Sequence, residues 1–296
     1  MTPNATANPE SPQEDTTRSA DGLPQYAAEI RAFHDAFEHE LRSVIERLPL
    51  KAGMRVVDVG CGDGFYTELL AERLATVGAD ARGEVTAVDN NPNFLRVAKA
   101  RFNEHRPGLA PVRFVQQDLD GLADSPATYD LGWCAQSLYS FPEPVAALKR
   151  IGAALKPGGV VVVLENDTLH QLLLPWPTEL ELVVRAAEFA ALAADSQRPG
   201  KYYVGRRLPA VFAEAGLEPL GFATQAIDRS APLSEPLERF LSCYLERLRE
   251  RIAPHLAACD AALFADFASP DGARFLLGRP HFTCTWINVI AWAQKR

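Results

Sequence analysis

The spacing of apolar residues changes several times along the chain, and each spacing predicts a different kind of element. From Pro24 to Ile45 the large apolar residues recur at helical intervals, which predicts one long amphipathic leading helix. After this helix, short apolar runs alternate with amphipathic segments. The runs predict strands and the segments predict helices, namely strands at 55–59, 84–89, 112–116, 129–135 and 159–165 and helices at 66–77, 92–106 and 144–155.

These strands are apolar along their whole length rather than at alternate residues. Strands of that kind, separated by amphipathic helices, are typical of a parallel sheet with helices on both faces. The sequence therefore predicts an α/β, doubly wound fold. A helix at 205–215, which Gly216 ends, and strands at 217–227 and 281–292 complete the pattern.

Two long segments interrupt this simple pattern. One follows the strand at 159–165, and the other separates the last two strands and places its apolar residues between Leu237 and Ile252 on one helical face. Each segment either extends the core or forms a lid, and we favour a lid because ligands of such sheets bind beyond the carboxyl ends of the strands. We predict one domain over residues 23–296, with lid insertions at about 168–204 and 229–280.

Composition limits the class of protein and its partners. With 47% hydrophobic residues the chain can form a large core, whereas residues 1–22 have almost no large apolar side chains and are predicted to be a disordered tail. A net charge of −8 argues against a nucleic-acid surface. Five cysteines without C-x-x-C spacing favour a reduced, cytoplasmic protein. Neither a membrane span nor a signal peptide is expected from the apolar runs.

A glycine-rich turn after the first strand is the most informative motif, with Gly60, Gly62 and Gly64 at alternate positions. Glycines permit positive φ angles and let a ligand approach the backbone closely. The helix that follows is expected to offer unpaired amide N–H groups to that ligand. The strand at 84–89 ends in Asp89, a carboxylate suited to accept hydrogen bonds from a ribose diol. Together these residues predict a nucleotide site.

Asp58, the glycine triplet and Asp89 resemble the motifs of the class I S-adenosylmethionine-dependent methyltransferases. The triplet differs from the G-x-G-x-x-G of dinucleotide-binding folds, so a nicotinamide- or flavin-binding protein is the less favoured alternative. The segment L-K-P-G-G from Leu155 to Gly159 is a further match to the family. The resemblance implies a Rossmann-like sheet of seven strands with an antiparallel last strand, and S-adenosyl-L-methionine as cofactor.

The resemblance also implies a role for each motif residue. The glycines would lie against the methionine and ribose, with Asp58 near the amino group, Asp89 on the ribose and Asp118 on the adenine amino group. A helix cap or a solvated turn is the alternative for an aspartate at a strand end, and we favour that alternative for Asp120 and Asp124. The full predicted cofactor set is Asp58, Gly60, Cys61, Gly62, Gly64, Tyr66, Asp89, Asn90, Asp118, Leu119, Cys134 and Gln136.

The loop after the strand at 129–135 would lie under the methyl donor. It contains neither N-P-P-Y nor D-P-P-Y, and no Pro-Cys pair, which argues against methylation of adenine, planar amides or cytosine C5. Tyr139 in this loop and His170 beyond the next strand are the predicted catalytic residues, His170 as a general base. The alternatives are a packed aromatic ring for Tyr139 and a hydrogen-bonded loop residue for His170.

Glu165, Asn166 and Asp167 resemble the side chains with which some catechol-type O-methyltransferases bind Mg²⁺. The second acidic ligand expected after the strand at 129–135 is missing, because Cys134 to Ser137 contains no carboxylate. We therefore expect no metal.

The sequence leaves the acceptor open. The favoured function is transfer of a methyl group to an O or N atom of a small organic molecule, by a monomer or homodimer without nucleic-acid or membrane partners. The alternatives are a non-catalytic S-adenosylmethionine-binding regulatory protein and a protein or peptide methyltransferase. The candidate acceptor contacts in or just after the first insertion are Trp176, Tyr202, Tyr203 and Arg206. On the leading helix they are Tyr26, Phe33 and His34, although the core spacing of Phe33 favours packing.

Overall fold

A computed structural model of the 296-residue chain gives the fold. It describes residues 22–24, 26–77, 83–103, 108–124, 127–166, 170–194 and 203–296. Apart from Gly22, the predicted tail lies outside the described residues, and so do the candidates Asp167 and Tyr202.

A mixed sheet of eight strands forms the centre of the described chain. The strands are β1 (Arg55–Val59), β2 (Glu84–Asp89), β3 (Val112–Gln116), β4 (Tyr129–Ala135), β5 (Leu155–Glu165), β6 (Leu172–Leu173), β7 (Glu218–Ser230) and β8 (Thr283–Gln294). Their order is β3-β2-β1-β4-β5-β8-β6, and β7 pairs with β8. Strands β1 to β5 are parallel, whereas β8 is antiparallel to β5, β6 and β7. The predicted doubly wound sheet with an antiparallel last strand is confirmed, and the short β6 raises the predicted seven strands to eight.

Nine α-helices surround the sheet in the part of the chain that the structure describes. They are α1 (Ala27–Glu46), α2 (Phe65–Val77), α3 (Pro92–Asn103), α4 (Leu119–Ala123), α5 (Pro144–Ala154), α6 (Thr178–Ala194), α7 (Val204–Glu214), α8 (Glu235–Ile252) and α9 (Ala258–Ala268). The predicted element bounds agree with these to within a few residues. The five-residue α4 was not predicted.

Successive residues of the central strands point to opposite faces of the sheet, and both faces are covered. Val56 of β1 and Val162 of β5 belong to the larger hydrophobic core, which α1, α2 and α8 fill from one side. Their neighbours Val57 and Val163 belong to the second core, which α5 and α7 fill from the other. Burial on both faces explains why these strands are apolar throughout.

The leading helix α1 packs against the second insertion and against β8. Phe33 of α1 lies with its ring centroid 5.7 Å from that of Phe240 in α8 and 4.8 Å from Trp286 in β8. Phe37 contacts the same two rings at 5.5 and 5.8 Å. These aromatic contacts hold α1 against α8 and β8.

Ion pairs add to the contact between α1 and α8. Glu29 accepts from Arg247 at 2.7 Å, and Asp35 accepts from Arg239 at 2.6 Å. The predicted insertions contain α6 in the first and α8 with α9 in the second, and their role as a substrate lid stays a prediction.

Candidate functional site

Doubly wound sheets form a crevice where the strand order reverses, and in this sheet that point lies between β1 and β4. Strands β2 and β3 lie on one side of β1, while β4 and β5 lie on the other, so the loops that leave β1 and β4 diverge. Ligands of doubly wound sheets bind at such a point. The Ser137 hydroxyl, after β4, donates to the Gly60 carbonyl, after β1, at 3.2 Å. The candidate site is built from the residues around this contact.

The glycine loop has the backbone that the sequence predicts. Gly60, Gly62 and Gly64 have φ angles of 70°, 54° and 83°. A Cβ at Gly64 would lie 3.0 Å from the Cβ of Ala98 in α3, so the close approach of the loop to α3 requires glycine. A Cβ at Gly62 would meet no atom within 4 Å, which places this residue beside open space.

The amides of the loop are already used within the chain. Gly60 and Cys61 donate to the Val88 carbonyl at 2.8 and 3.0 Å, and Gly64 donates to the Cys61 carbonyl at 3.0 Å. At the start of α2, the Phe65 amide donates to Asp63 Oδ1 at 3.2 Å. The expectation that the first amides of the helix are unpaired is therefore wrong for Phe65, and the loop amides are paired because the turn closes on β2 and on itself.

Asp89 joins the end of β2 to the glycine loop, as its predicted role requires. Its Oδ2 accepts from the Gly62 amide at 3.0 Å and its Oδ1 from the Asn91 amide at 2.8 Å. Burial raises the pKa of Asp89, while these two donors act in the opposite direction. Asn90 beside it is exposed. The structure brings Asp89 and Gly62 together, and their contacts to a cofactor stay predictions.

Asp58 lies beneath the loop and is 2% exposed. Its Oδ2 accepts from the Thr67 hydroxyl of α2 at 2.6 Å. Burial raises the pKa of Asp58 to about 7, against the effect of this hydrogen bond. The side chain therefore ties α2 to the end of β1, and its predicted contact with an amino group stays a prediction.

Asp118 is the N-terminal cap of α4, whereas the sequence analysis favoured a cap or a solvated turn for Asp120 and Asp124. Its Oδ1 accepts from the Gly121 amide at 2.9 Å, and Leu119 begins the helix. Asp120 instead pairs with Arg150 of α5. The capping position was missed because a single turn of helix has no apolar period.

The two cysteines of the predicted set are buried on different faces of the sheet. Cys61 packs with Ala87 and Leu95, and Cys134 belongs to the second core. Burial raises the pKa of both thiols, so they stay protonated and unreactive. Their place in the cofactor set stays a prediction.

Glu165 holds the loop after β4. Its Oε1 accepts from the Leu138 amide at 2.6 Å and from the Tyr139 amide at 3.3 Å. Burial raises the pKa of Glu165 to about 8 in spite of these donors. Gln136 begins the loop with a φ of 51° and donates its amide to the Leu164 carbonyl at 2.7 Å. The sequence analysis considered Glu165 only as a metal ligand, and the structure shows that it fixes the loop.

The predicted catalytic residues have different surroundings. Tyr139 is 36% exposed as a residue, while desolvation of its phenol, followed by Glu165, raises the pKa, so the phenol keeps its proton near neutral pH and can donate a hydrogen bond. His170 is exposed and contacts Arg206 of α7, whose guanidinium lies over the Tyr203 ring at 5.6 Å. Both catalytic assignments stay predictions.

His34 of α1 is the site residue that the sequence analysis undervalued. Its ring stacks on Phe65 at 4.0 Å and 9°, and lies 5.3 Å from the Tyr66 ring. Burial lowers the pKa of His34 to about 4, although Asp63, whose Oδ1 is 3.9 Å from Nδ1, acts to raise it. The sequence does carry one signal for its role, because His34 is a polar residue on the apolar face of the helix, between Phe33 and Phe37.

Several buried polar atoms at the crevice have no partner. Among the described residues, both ring nitrogens of His34, the Tyr66 hydroxyl and Asn166 Oδ1 make no hydrogen bond of ordinary geometry. Buried polar groups in folded proteins are nearly always paired. A polar ligand in the crevice would satisfy these atoms.

Two searches bear on metals and membranes. Across the described ranges, no three histidine, cysteine or acidic side chains come together as a metal site would require. Within the same ranges, no helix is both long and apolar enough to cross a bilayer.

The sequence is similar to those of known methyltransferases. Residues 50–207 match the family model of a methyltransferase domain. The ubiquinone biosynthesis O-methyltransferase of Xanthomonas euvesicatoria pv. vesicatoria (strain 85-10) is 36% identical over 151 residues, which are 51% of this chain and 56% of that protein. The trans-aconitate 2-methyltransferase of Rhodopseudomonas palustris (strain BisB18) is 29% identical over 187 residues, 60% of this chain and 65% of that protein. The chain thus spans about half the length of the first of these curated relatives.

A solved structure supports the fold. The S-adenosylmethionine-dependent methyltransferase of Thiobacillus denitrificans, in complex with S-adenosyl-L-homocysteine, has a TM-score of 0.51 and 18% identity. The comparison covers 93% of this chain and 99% of that chain, so the two chains share a fold.

Proposed function

Because this chain belongs to the class I S-adenosylmethionine-dependent methyltransferases, a family of enzymes, we propose that it transfers a methyl group from S-adenosyl-L-methionine to an oxygen or nitrogen atom of a small organic molecule. The observation that carries the proposal is the hydrogen bond between Gly62 and Asp89 at 3.0 Å. It joins the two motifs on which the family resemblance rests at the point where the strand order reverses.

The residues of the crevice fit this cofactor. Asp89 would accept from the ribose hydroxyls, and Gly62 lies beside open space where the ligand would approach the backbone. Asp118 would accept from the adenine amino group with the carboxylate that also caps α4. The unpaired atoms of His34 and Tyr66 give the site further polar capacity.

Bound S-adenosylmethionine supplies a methyl group on a cationic sulfur, which is already activated for in-line displacement. The protein therefore has mainly to aim the acceptor and to exclude water, and orientation can contribute roughly 7–11 kcal/mol of the barrier. Asp58 and Glu165 are each less than 3% exposed, so the floor of the crevice is shielded from solvent. The Glu165 contacts fix the loop that carries Tyr139.

An acceptor that must lose a proton needs a base near the crevice. Glu165 positions the loop and does not serve as that base, because its raised pKa of about 8 leaves the carboxyl mostly protonated at neutral pH. Tyr139 would orient the acceptor as a donor, because its pKa is raised. His170 stays a candidate base from its position in the chain after β5.

The relatives favour a small acceptor, and oxygen before nitrogen. The Xanthomonas relative is named for O-methylation in ubiquinone biosynthesis, and the Rhodopseudomonas relative for methylation of trans-aconitate. We therefore place hydroxylated aromatic compounds and small carboxylic acids first among the acceptors to be tried.

The test is transfer of label from tritiated S-adenosylmethionine to a panel of phenols, catechols, carboxylic acids including trans-aconitate, amines and a protein mixture. We expect labelled product with a small oxygen or nitrogen acceptor only. Tight cofactor binding without transfer to any acceptor would favour the non-catalytic alternative, and labelling of the protein mixture alone would favour a protein methyltransferase.

Asp89→Asn gives an independent check on the cofactor site, since it removes the charge but keeps an acceptor oxygen for the Gly62 amide. We expect at least about fivefold weaker binding of S-adenosylhomocysteine by calorimetry, because hydrogen bonds to charged groups contribute about 1.5–3 kcal/mol. Asp124→Asn, at the exposed end of α4, is the matched control. Unchanged affinity in Asp89→Asn would remove Asp89 from the site.

A further inference from the structure

The helix α6, in the first insertion, is apolar on two opposite faces. On its inner face, Leu180, Val184 and Ala187 are buried in the larger hydrophobic core. On its outer face, Leu182 is 68% and Phe189 is 50% exposed, and these are the two most exposed large apolar side chains among the described residues. A helix that is apolar all round is normally covered on all sides. The outer face of α6 therefore indicates a contact surface.

The outer face has the regular spacing of a helix–helix contact. Its four exposed residues follow one another at intervals of four, three and four positions, and we call them the outer seam: Leu182, Ala186, Phe189 and Ala193. This is the spacing of the core positions of a coiled coil, in which side chains of one helix pack between those of another. The spacing points to a second helix, rather than to a flat surface, as the partner.

The outer seam is complementary to itself when two copies of α6 run antiparallel. If a two-fold axis passes through the middle of the seam, Leu182 lies opposite Ala193 of the second copy, and Ala186 lies opposite Phe189 of the second copy. Each layer then joins one large and one small side chain, which fills the space between the helices evenly. In a parallel pair Phe189 would face Phe189 and Ala186 would face Ala186, so one layer would be crowded and the next would be empty.

The sides of the outer seam let a second copy approach. The chain carries a net charge of −8, so two copies repel each other at long range. On one side of the seam, Val183 and Ala190 carry no charge. On the other side, the charge of Arg185 is compensated by Glu181 and Glu188, each at 2.9 Å. The face is therefore a place where two negatively charged molecules can meet.

Glu179 favours the antiparallel arrangement. It is exposed and lies three residues before Leu182, in line with the outer seam at the start of the helix. In a parallel pair the two Glu179 side chains would face each other, and like charges at such a distance repel. In the antiparallel pair they lie at opposite ends, about 25 Å apart by the rise of the helix.

We propose that the protein forms a two-fold symmetric dimer in which the outer seams of two α6 helices pack antiparallel. Each contact then occurs twice, as in every interface of this symmetry. One pair of helices makes a small interface, so the dimer dissociates in the micromolar range. Because α6 also packs on α8 and α9, the dimer joins the insertions of both copies. The inference stands independently of the proposed function.

Sedimentation velocity of the full chain, at protein concentrations from about 1 to 100 µM, tests the dimer. The variants are Leu182→Lys and Ala193→Glu, each alone and both together in one chain. Leu220→Lys, at a position of β7 that is 48% exposed, is the matched control. Since the outer seam is exposed in each copy, none of these changes should unfold the monomer, and melting temperatures check this.

We expect each single variant to weaken the dimer at least about tenfold, because a charge would face an apolar side chain, and Leu220→Lys to stay within about twofold of the unmodified protein. The double variant should dimerise at least about threefold more tightly than either single variant, because the introduced ammonium would lie opposite the introduced carboxylate. This recovery depends on the antiparallel register.

A monomer at every concentration would overturn the inference, and binding of that monomer to phosphatidylcholine vesicles would assign the outer seam to a lipid surface instead. Equal dissociation constants for the unmodified protein and the single variants would also overturn it, since the dimer would then use another surface. A double variant no tighter than the single variants would contradict the antiparallel pairing.

Discussion

Gly62 and Gly64 share positive φ angles but differ in what surrounds them. A methyl group at Gly62 would enter open space, whereas one at Gly64 would press on Ala98 of α3 at 3.0 Å from its Cβ and 3.2 Å from its Cα. The two positions therefore separate the cost of backbone conformation from the cost of crowding.

We predict that Gly62→Ala lowers the free energy of unfolding by about 1–2 kcal/mol, the cost of the left-handed conformation alone. Gly64→Ala should lower it by about 1–3 kcal/mol more, because overpacking adds to that cost. Urea unfolding of both variants measures the difference. Equal losses of unfolding free energy in the two variants would show that α3 moves away from the added methyl group without an energetic cost.

Glu165 makes stability depend on pH in an unusual direction. Burial raises its pKa from 4.5 to about 8, so the folded chain keeps a proton that the unfolded chain releases. This contribution is fully present below about pH 4.5 and is lost as the pH rises through 8. Asp58, with its pKa raised to about 7, acts in the same direction. His34, with its pKa lowered to about 4, acts in the opposite direction below pH 6.5.

Between pH 7 and 8 the effect of Glu165 is the clearest to measure. Through Glu165, the unmodified protein should lose up to about 1 kcal/mol of unfolding free energy across this interval, since one pKa unit corresponds to about 1.4 kcal/mol. We predict that Glu165→Gln does not show this loss. Urea titrations at the two pH values, with Glu238→Gln at an exposed position as control, give the comparison. The same slope in Glu165→Gln and the unmodified protein would contradict the raised pKa.

At the scale of single residues, the sequence predicted the features that follow from backbone conformation. It did not predict the features that depend on how distant side chains pack. The positive φ angles at the glycine triplet and the approach of Asp89 follow from residue type and strand order. The importance of His34 depends on how α1 lies over Phe65, which no local pattern contains. The capping role of Asp118 belongs to a helix too short to show a period.

Among the elements, α1 shows what the periodic spacing of apolar residues predicts and what it does not. Its apolar spacing predicted the helix, yet the contacts with α8 and β8 join residues some 200 positions apart, and such pairings are invisible to local pattern. Phe37 has φ −123° and ψ 16° inside the helix, so α1 is kinked at the residue that packs most deeply. Neither the kink nor the partner helix could be read from residue spacing.

We predict that Phe37→Ala lowers the free energy of unfolding by about 3–5 kcal/mol, because it empties a fully buried position among Phe33, Phe240 and Trp286. Phe189→Ala, on the exposed side of α6 where half of the ring is accessible, is the matched control and should change it little. Denaturant unfolding measures both. A loss below about 1 kcal/mol for Phe37→Ala would show that α1 is not part of the cooperative core.

Across the whole molecule, the parallel part of the sheet was predictable because buried strands are apolar throughout and alternate with helices. The arrangement of the insertions was not, since it depends on contacts between segments far apart in the chain. The added strand β6 has only two residues, too few for any periodic signal. The sequence therefore predicts most of the fold, while the arrangement of the insertions depends on tertiary packing.

The composition of the N-terminal residues predicts that they contribute little to folding. Deleting residues 1–20 should leave the melting temperature and S-adenosylhomocysteine binding unchanged, because these residues cannot bury enough apolar surface. Deleting residues 1–26 should lower both, since Leu23 and Tyr26 pack with Phe94 at the start of α3. Differential scanning fluorimetry and calorimetry compare the two. A large drop for the shorter deletion would contradict the predicted tail.

Calorimetric titration of the purified chain with S-adenosylmethionine, S-adenosylhomocysteine and NAD tests the central claim most directly. The glycine loop, Asp89 and the unpaired polar atoms of the crevice predict binding of the first two ligands in the micromolar range and no binding of NAD. Binding of NAD alone, or of none of the three, would contradict the claim that this crevice holds the methyl donor.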